Sequence, residues 1–141
     1  MKKLFLILTT VILLTGCEKE TIIQGNQVPE KIKTYIETHF PQLSVLQVLE
    51  DRDGFTLTYD VTLQQGYFLE FNRKMEIEEV TGIEPIPNSV VPSNILTYVQ
   101  TQFSEQSILS WDLSDRIQEV TLDNGIQLEF DKEGNFLRID N

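Results

Sequence analysis

Two segments of this chain carry nearly the same sequence, 63 residues apart. The first reads VPEKIKTYIETHF (residues 28–40) and the second reads VPSNILTYVQTQF (residues 91–103), so seven of the thirteen positions are identical. In both segments the apolar residues recur every three or four positions, which is the spacing of an amphipathic helix. Pro29 and Pro92 stand where the first turn of a helix tolerates proline. The sequence therefore predicts two similar helices.

A second pair of similar segments follows the helices. VTLQQGYFLEFN (residues 61–72) matches VTLDNGIQLEFD (residues 120–131) at an offset of 59. Apolar and polar residues alternate on both sides of Gly66 and Gly125, which predicts two hairpins with tight turns. Shorter strands are expected near residues 45–50, 75–80, 107–113 and 135–139. The apolar side of the strand that opens the first hairpin is predicted to hold Phe55, Leu57, Tyr59, Val61 and Leu63.

Each copy thus consists of one helix followed by four strands. The predicted fold class is α+β: a tandem repeat of a helix followed by a four-stranded antiparallel sheet, with the two units packed as one domain. Repeat 1 covers residues 28–82, repeat 2 covers residues 91–141, and residues 83–90, which include two prolines, connect them. One face of each sheet is expected to pack on its helix and the other to face water.

The N-terminal segment has the features of an export signal. Lys2 and Lys3 precede an uncharged, mostly apolar run at residues 4–14, and Leu-Thr-Gly then leads to Cys17. The run is too short to cross a bilayer, which needs about 20 residues, but it suits a signal peptide. The four residues ending at Cys17 resemble the bacterial lipobox, which implies cleavage after residue 16 and a lipid anchor on Cys17. The alternative is an ordinary secretory signal with a chance cysteine.

Residues 17–27 are predicted to be the lipidated cysteine and a polar tether. The charged residues directly after Cys17 are similar to the surface-export signal of Bacteroidota lipoproteins, although a solvated linker would have the same composition. The expected location is the cell envelope, with the chain anchored to a bacterial membrane. The outer membrane is favoured, on its periplasmic or surface side.

Composition excludes several classes of function. Cys17 is the only cysteine, so neither a disulfide framework nor a catalytic thiol is available. Loss of residues 1–16 removes two lysines and moves the formal net charge from −11 to −13. A chain this acidic is repelled by nucleic acid, and we expect no nucleic-acid partner.

The combined pattern resembles the PepSY-like family of small exported proteins, whose fold is related to a beta-lactamase inhibitor protein. The matching features are Val28-Pro29…Ile32…Tyr35-Ile36…Phe40-Pro41 and Gly66-x-x-Leu69-Glu70-Phe71-Asn72, with counterparts beginning at Val91 and at Gly125. The chain departs from the pattern at Ser104, which replaces a proline, and at residues 72–75, which lack a glycine. The resemblance implies binding or inhibition by an open sheet surface, and it assigns no functional residue.

No group of residues in the sequence predicts catalysis or metal binding. His39 is the only histidine and is expected at a helix boundary. Residues 51–54, Asp-Arg-Asp-Gly, resemble the opening of a calcium loop but lack its later ligands, so a hairpin turn is predicted. No metal, no cofactor and no enzymatic activity are expected. Trp111 is assigned to the core, with an interface anchor as the alternative.

The water-facing side of the sheet is the predicted partner-binding surface. The leading hypothesis is a non-enzymatic envelope module, anchored at Cys17, that binds and regulates or inhibits an envelope protein. The alternatives are a binder of a small ligand or an ion, an enzyme of an unrecognised type resting on His39, and a solvated face with no partner. The residues predicted to form the binding face are Thr58, Asp60, Phe68, Glu70, Thr121, Gln127 and Glu129.

Overall fold

The computed structural model describes residues 18–140, so the predicted signal peptide and Cys17 lie outside the described residues. Within that range the chain forms nine β-strands and two α-helices. The strands are β1 (Glu18–Ile23), β2 (Val45–Asp53), β3 (Thr56–Leu63), β4 (Tyr67–Phe71), β5 (Ile77–Gly82), β6 (Ile108–Ser114), β7 (Ile117–Leu122), β8 (Gln127–Phe130) and β9 (Phe136–Asp140). The helices are α1 (Glu30–His39), between β1 and β2, and α2 (Ser93–Gln102), between β5 and β6.

All nine strands belong to one antiparallel sheet, in which each strand pairs with the next one along the chain. The predicted pair of four-stranded sheets, each with its own helix, is therefore wrong, and the fold is mostly β. The halves are joined where Val80 of β5 lies opposite Trp111 of β6. Two separate sheets would leave unpaired backbone N–H and C=O groups on the facing edges of β5 and β6, and pairing these strands satisfies both.

The segment predicted to be a polar tether forms strand β1, in addition to the eight strands that the sequence predicts. β1 pairs with β2 from Glu18 opposite Asp53 to Ile23 opposite Val48. Thr21, Ile22 and Ile23 are β-branched, and such residues favour strands. The sheet consequently begins at residue 18, well before the predicted start of the domain.

The two helices cover one face of the sheet, called here the inner face. Ile32 and Ile36 of α1 are buried in the same apolar cluster as Ile95 and Val99 of α2. Inner-face strand residues complete that cluster, and burying one such aliphatic side chain stabilises the fold by about 1.5–3 kcal/mol. Its most deeply buried strand members are Val48, Val61, Leu63, Phe71, Val80, Val120, Leu122, Leu128 and Phe130.

Trp111 lies in this core, as the sequence predicts. Its side chain is buried, and its indole Nε1 donates a hydrogen bond to Oε1 of Gln118 at 3.0 Å. The amide of Gln118 donates in turn to the carbonyl groups of Asp131 and Lys132. The polar edge of the indole is therefore satisfied inside the core.

The β2–β3 hairpin corrects one further prediction. Phe55 is fully exposed, because it belongs to the turn and not to the apolar side of β3. Gly54, just before it, has a φ of +58°, a conformation that glycine adopts without strain. The hairpin turn predicted at residues 51–54 is therefore displaced toward the C-terminus: residues 51–53 belong to β2, and the turn consists of Gly54 and Phe55.

Candidate binding surface

The face of the sheet away from the helices carries a continuous line of acidic residues. Residues directly opposite each other on neighbouring strands project from the same face. One carboxylate from each of six consecutive strands, β3 to β8, lies opposite the next. This acidic row consists of Asp60, Glu70, Glu79, Asp112, Glu119 and Glu129.

The two ends of the acidic row differ in character. Leu49 of β2 lies opposite Asp60, whereas Arg138 of β9 lies opposite Glu129. Nε and Nη2 of Arg138 donate to the two carboxylate oxygens of Glu129 at 2.9 and 2.8 Å. These hydrogen bonds hold the pKa of Glu129 below its usual value. The paired end of the row is thus anionic and hydrogen-bonded, while the rest faces other carboxylates.

Four members of the acidic row bind protons more tightly than free carboxylic acids do. Partial burial raises the pKa of Asp60, Glu70, Asp112 and Glu119, and neighbouring carboxylates raise each of them further. Like charges directly opposite each other destabilise a sheet. The row therefore retains unfavourable charge repulsion that a cation, a basic side chain or a proton would relieve.

A row of mostly uncharged side chains runs beside the acidic row on the same face. Phe68 is half exposed in it, between Thr62 of β3 and Thr81 of β5. The remaining members continue strand by strand to β8, and we call the whole set the neutral row. It consists of Thr62, Phe68, Thr81, Ser110, Thr121 and Gln127.

The structure brings the predicted face residues together. Asp60, Glu70 and Glu129 lie on the acidic row, and the other predicted residues except Thr58 lie on the neutral row. Thr58 lies opposite Asp51 on the same face. The acidic row runs between Thr58 and the neutral row. The predicted binding role of this face stays a prediction.

Sequence reasoning missed half of the acidic row, namely Glu79, Asp112 and Glu119. Each of these residues occupies a polar position in a strand whose polar and apolar residues alternate, and this alternation is visible in the sequence. Their alignment with Glu70 and Glu129 depends on the pairing of β5 with β6, which joins the two halves of the sheet. The two separate sheets predicted from the sequence could not reveal this line.

Carboxylate oxygen atoms converge at one end of the acidic row. Carboxylate oxygens of Glu119, Glu129 and Asp140 lie within 4.8 Å of one another. Near the other end of the row, Oδ1 of Asp51 and Oδ1 of Asp60 are buried without a hydrogen-bond partner within residues 18–140. Oxygen ligands of this kind are those that Ca²⁺ prefers.

His39 lies on the helix side of the sheet, away from the acidic row. It is the last residue of α1, as predicted for a boundary residue, and its Nδ1 is 2.9 Å from the Oγ of Ser89. Burial lowers the pKa of His39. The contact ties α1 to the segment that precedes α2.

Neither α1 nor α2, each ten residues long, is long and apolar enough to cross a membrane, and no other helix of residues 18–140 is.

None of the curated proteins matches the chain. A family model described as "Putative beta-lactamase-inhibitor-like, PepSY-like" matches residues 14–58 and 57–138.

Solved structures from Bacteroides have the same fold. A "putative periplasmic protein" from Bacteroides vulgatus is 35% identical, with a TM-score of 0.83 over 89% of this chain and 100% of that one. A "putative calcium-regulated periplasmic protein" from Bacteroides thetaiotaomicron is 29% identical, with a TM-score of 0.82 over 86% of this chain and 97% of that one. A second Bacteroides vulgatus protein, periplasmic and "of unknown function", is 28% identical, with a TM-score of 0.80 over 87% and 100%.

Proposed function

The chain belongs to the PepSY-like, beta-lactamase-inhibitor-like family, and from this premise we propose that it is a non-enzymatic binding protein of the cell envelope. In this proposal Cys17 carries the lipid anchor, and the acidic row is the surface that meets a basic protein partner. The periplasmic description of the similar Bacteroides proteins supports the location. The single observation that supports the surface is the alignment of six carboxylates across six strands.

The acidic row is suited to a positively charged protein segment. Neighbouring strands are about 4.8 Å apart, so six carboxylates extend over roughly 24 Å. A rigid line of this length fits several lysine or arginine side chains at once, and its field accelerates encounter with a basic partner. Phe68 in the neutral row adds one exposed aromatic side chain, a residue type that is enriched in protein interfaces.

Charge reversal on the row tests this surface. The lipidated chain is crosslinked in intact cells, and the attached proteins are identified for the wild type, for Glu79→Lys/Asp112→Lys and for a control, Glu84→Lys/Glu105→Lys. The control reverses two exposed charges outside the row. We expect the row variant to lose the partner that the wild type and the control both capture. An identical set of partners in all three would show that the row is not the binding surface.

The anchor has its own test. Replacement of Cys17 by serine removes the thiol that accepts the lipid, so we expect the variant to move from the membrane fraction to the soluble envelope fraction. Globomycin, which blocks lipoprotein signal peptidase, should make the unprocessed wild-type precursor accumulate and leave the serine variant unaffected. Continued membrane association of Cys17→Ser would contradict lipid anchoring.

Calcium is the second candidate ligand of the same face. The oxygen cluster of Glu119, Glu129 and Asp140 supports it, as does the description of a similar Bacteroides protein as calcium-regulated. In this proposal Glu129 gives up its hydrogen bonds with Arg138 and binds the calcium ion instead. A ligand that binds only the folded state raises the melting temperature.

The calcium proposal is tested by thermal unfolding with added CaCl₂. We expect Ca²⁺, more than Mg²⁺, to raise the melting temperature of the wild type. Glu119→Gln should abolish the shift, and Arg138→Met should enlarge it because it frees Glu129. Asp131→Asn serves as the matched control, since Asp131 lies outside the cluster. An unchanged melting temperature across millimolar Ca²⁺ would rule calcium out.

A further inference from the structure

A cavity of about 460 Å³ opens between α1 and the edge of the sheet formed by β1 and β2. Two of its lining residues are large apolar side chains that are substantially exposed: Val45 at 44% and Leu46 at 64%. Lys33 and Glu37 also line it, from α1. The apolar lining as a whole consists of Ile22, Ile23, Val28, Ile36, Leu43, Val45, Leu46 and Val48.

The corresponding space between α2 and β6 is filled by the chain itself. The offset of 63 residues that aligns the helices also aligns Val45 with Ile108. Ile108 is only 6% exposed, and Ile86 from the segment before α2 belongs to the same buried cluster. The backbone N–H of Ile86 donates to the carbonyl of Ile108 at 2.9 Å, and Ile86 is itself 4% exposed. Val90 of the same segment is also buried.

The difference arises from the length of one connection. Ile23 lies opposite Val48, and Val80 lies opposite Trp111, so β1 stands beside β2 as β5 stands beside β6. A glycine lies two residues after Ile23 and two residues after Val80, at Gly25 and at Gly82. From there to the proline that precedes the helix, the first connection is six residues shorter than the second. It therefore has no counterpart of the Glu-Pro-Ile-Pro stretch that places Ile86.

We infer that this cavity is a docking site for an extended apolar peptide segment of a protein partner. The partner would place one aliphatic side chain against Val45 and Leu46, and its backbone N–H would donate to the carbonyl of Val45. Ile86 provides the template, since it donates its backbone N–H to the carbonyl of Ile108 and is buried in the same cluster as Ile108. Main-chain hydrogen bonds combined with a side-chain pocket are a recurrent way of binding extended peptides.

The charged residues at the cavity favour a peptide over a wholly apolar molecule. Lys33 and Glu37 occupy the positions of Leu96 and Gln100 in α2. A peptide has polar backbone groups beside its apolar side chain, and these can remain near the charges and the solvent. The site lies on the helix side of the sheet, so it is separate from the acidic row and its test does not depend on that surface.

The connector provides the probe for a binding experiment. A fluorescein-labelled peptide with the sequence of residues 82–90 is titrated with the chain from residue 18 onward, which contains every described strand and helix, and anisotropy is recorded. We expect saturable binding and at least a tenfold loss with Leu46→Asp. Phe55→Asp, a fully exposed apolar residue on a hairpin turn, is the control and should bind as the wild type does. A peptide in which Ile86 is replaced by aspartate should not bind.

Other outcomes of the titration would overturn the inference. The inference is wrong if binding does not saturate at millimolar peptide, or if Leu46→Asp leaves the binding unchanged. It is also wrong if neither an unlabelled copy of the peptide nor a second peptide displaces the labelled one. Binding of decanoate at this cavity without binding of the peptide would replace the peptide with an acyl ligand. Should Leu46→Asp not melt cooperatively, Val45→Asp takes its place, because Val45 also lines the cavity and is 44% exposed.

Discussion

Single carboxylates on the outer face of the sheet are held in an environment that favours their protonated form. Asp60 and Glu70 lie opposite each other on β3 and β4, where burial first and neighbouring charges second raise the pKa of both. Glu79 lies next to Glu70 on β5 and adds to this repulsion. The chain thus gives up some stability at each of these positions while keeping a negative surface.

Removing one charge from the middle of the row should therefore stabilise the fold. We expect Glu70→Gln to raise the free energy of unfolding by about 0.5 kcal/mol, a modest gain because solvent screens half-exposed charges. Urea denaturation at pH 7 measures this change. Glu105→Gln, at an exposed position away from the row, should leave stability unchanged. A loss of stability in Glu70→Gln would mean that its carboxylate makes a favourable interaction.

Residue types along a strand were enough to identify some of these positions but not all. Alternation correctly assigned Asp60 and Glu70 to the water-facing side, since period two decides the face of a residue. Phe55 is an exception to this rule, because the turn of the β2–β3 hairpin ends one residue later than the alternation suggests. An apolar residue in an exposed turn carries no local signal that separates it from a strand residue.

Among the helices and strands, those whose apolar residues recur regularly could be predicted from the sequence, whereas β1, which begins with charged residues, could not. Both helices and all of the predicted strands are present, because their apolar residues recur with a clear period of 3.6 or 2. β1 was missed, since its Glu-Lys-Glu start has the composition of a solvated linker. Its pairing with β2 comes from the free edge that β2 offers, which is a tertiary effect.

Each helix stands on a cluster of aromatic side chains. Beneath α2, the ring of Tyr98 stacks on Phe136 at 4.6 Å and meets the edge of Phe130 at 5.5 Å. Beneath α1, Tyr35 meets Phe71 edge to face at 5.3 Å. These contacts hold α1 on β4, and α2 on β8 and β9.

Phe130→Ala should be severely destabilising. Phe130 is fully buried, so the substitution leaves a large cavity under α2 and should cost about 3–5 kcal/mol. Phe68→Ala removes the same side chain from a half-exposed position on the outer face and should cost less than about 1 kcal/mol. Guanidinium denaturation of both variants gives the comparison. Similar losses would mean that Phe68 is packed more tightly than its exposure indicates.

The strands of residues 18–140 form one sheet because β5 and β6 pair. The sequence repeat correctly indicated two similar helices and two similar hairpins, but it suggested two sheets where there is one. Periodicity reports which residues share a face, whereas the choice of neighbour for an edge strand depends on backbone groups that every residue type carries. That choice determines both the fold class and the continuity of the acidic row.

A continuous sheet should unfold as one unit. Val80→Ala at the β5–β6 junction removes a fully buried side chain and should cost about 1–3 kcal/mol. We expect hydrogen exchange to show an equal loss of protection for the core amides of β3 and of β7, which lie on either side of the junction. Val61→Ala is the control, because it truncates a buried valine within the first half of the sheet and not at the junction. Loss of protection limited to one half would show that the halves unfold separately.

The net effect of the acidic row should appear in the pH dependence of stability. The folded-state pKa values of Asp60, Glu70, Asp112 and Glu119 lie above the ordinary values of 3.8 and 4.5. Folding therefore favours their protonated forms, and this contribution is complete at low pH and lost as the pH rises through the folded-state values. Glu129 and Asp131, whose pKa values are lowered, act in the opposite direction below their ordinary values.

Thermal unfolding between pH 7 and about pH 5 measures this balance. Burial lowers the pKa of His39 from 6.5, which reduces stability as the pH falls through that value, so the measurement is made in a His39→Gln background. In that background we expect the melting temperature to rise as the pH falls through the interval, before the contributions of Glu129 and Asp131 are lost. The rise should be smaller in an Asp60→Asn/Glu70→Gln double variant, which has fewer groups to protonate. A melting temperature that falls steadily from pH 7 would contradict the raised pKa values.

The simple order of the strands also determines how the molecule would respond to mechanical force. Residue 18 begins one edge strand and residue 140 ends the other, with seven strands between them. Tension applied between these ends acts mainly across the strands, over roughly 40 Å, and so pulls along the hydrogen bonds that join them. Strands loaded in this direction peel apart one after another instead of resisting together in shear. Force spectroscopy should therefore record stepwise unzipping at low force.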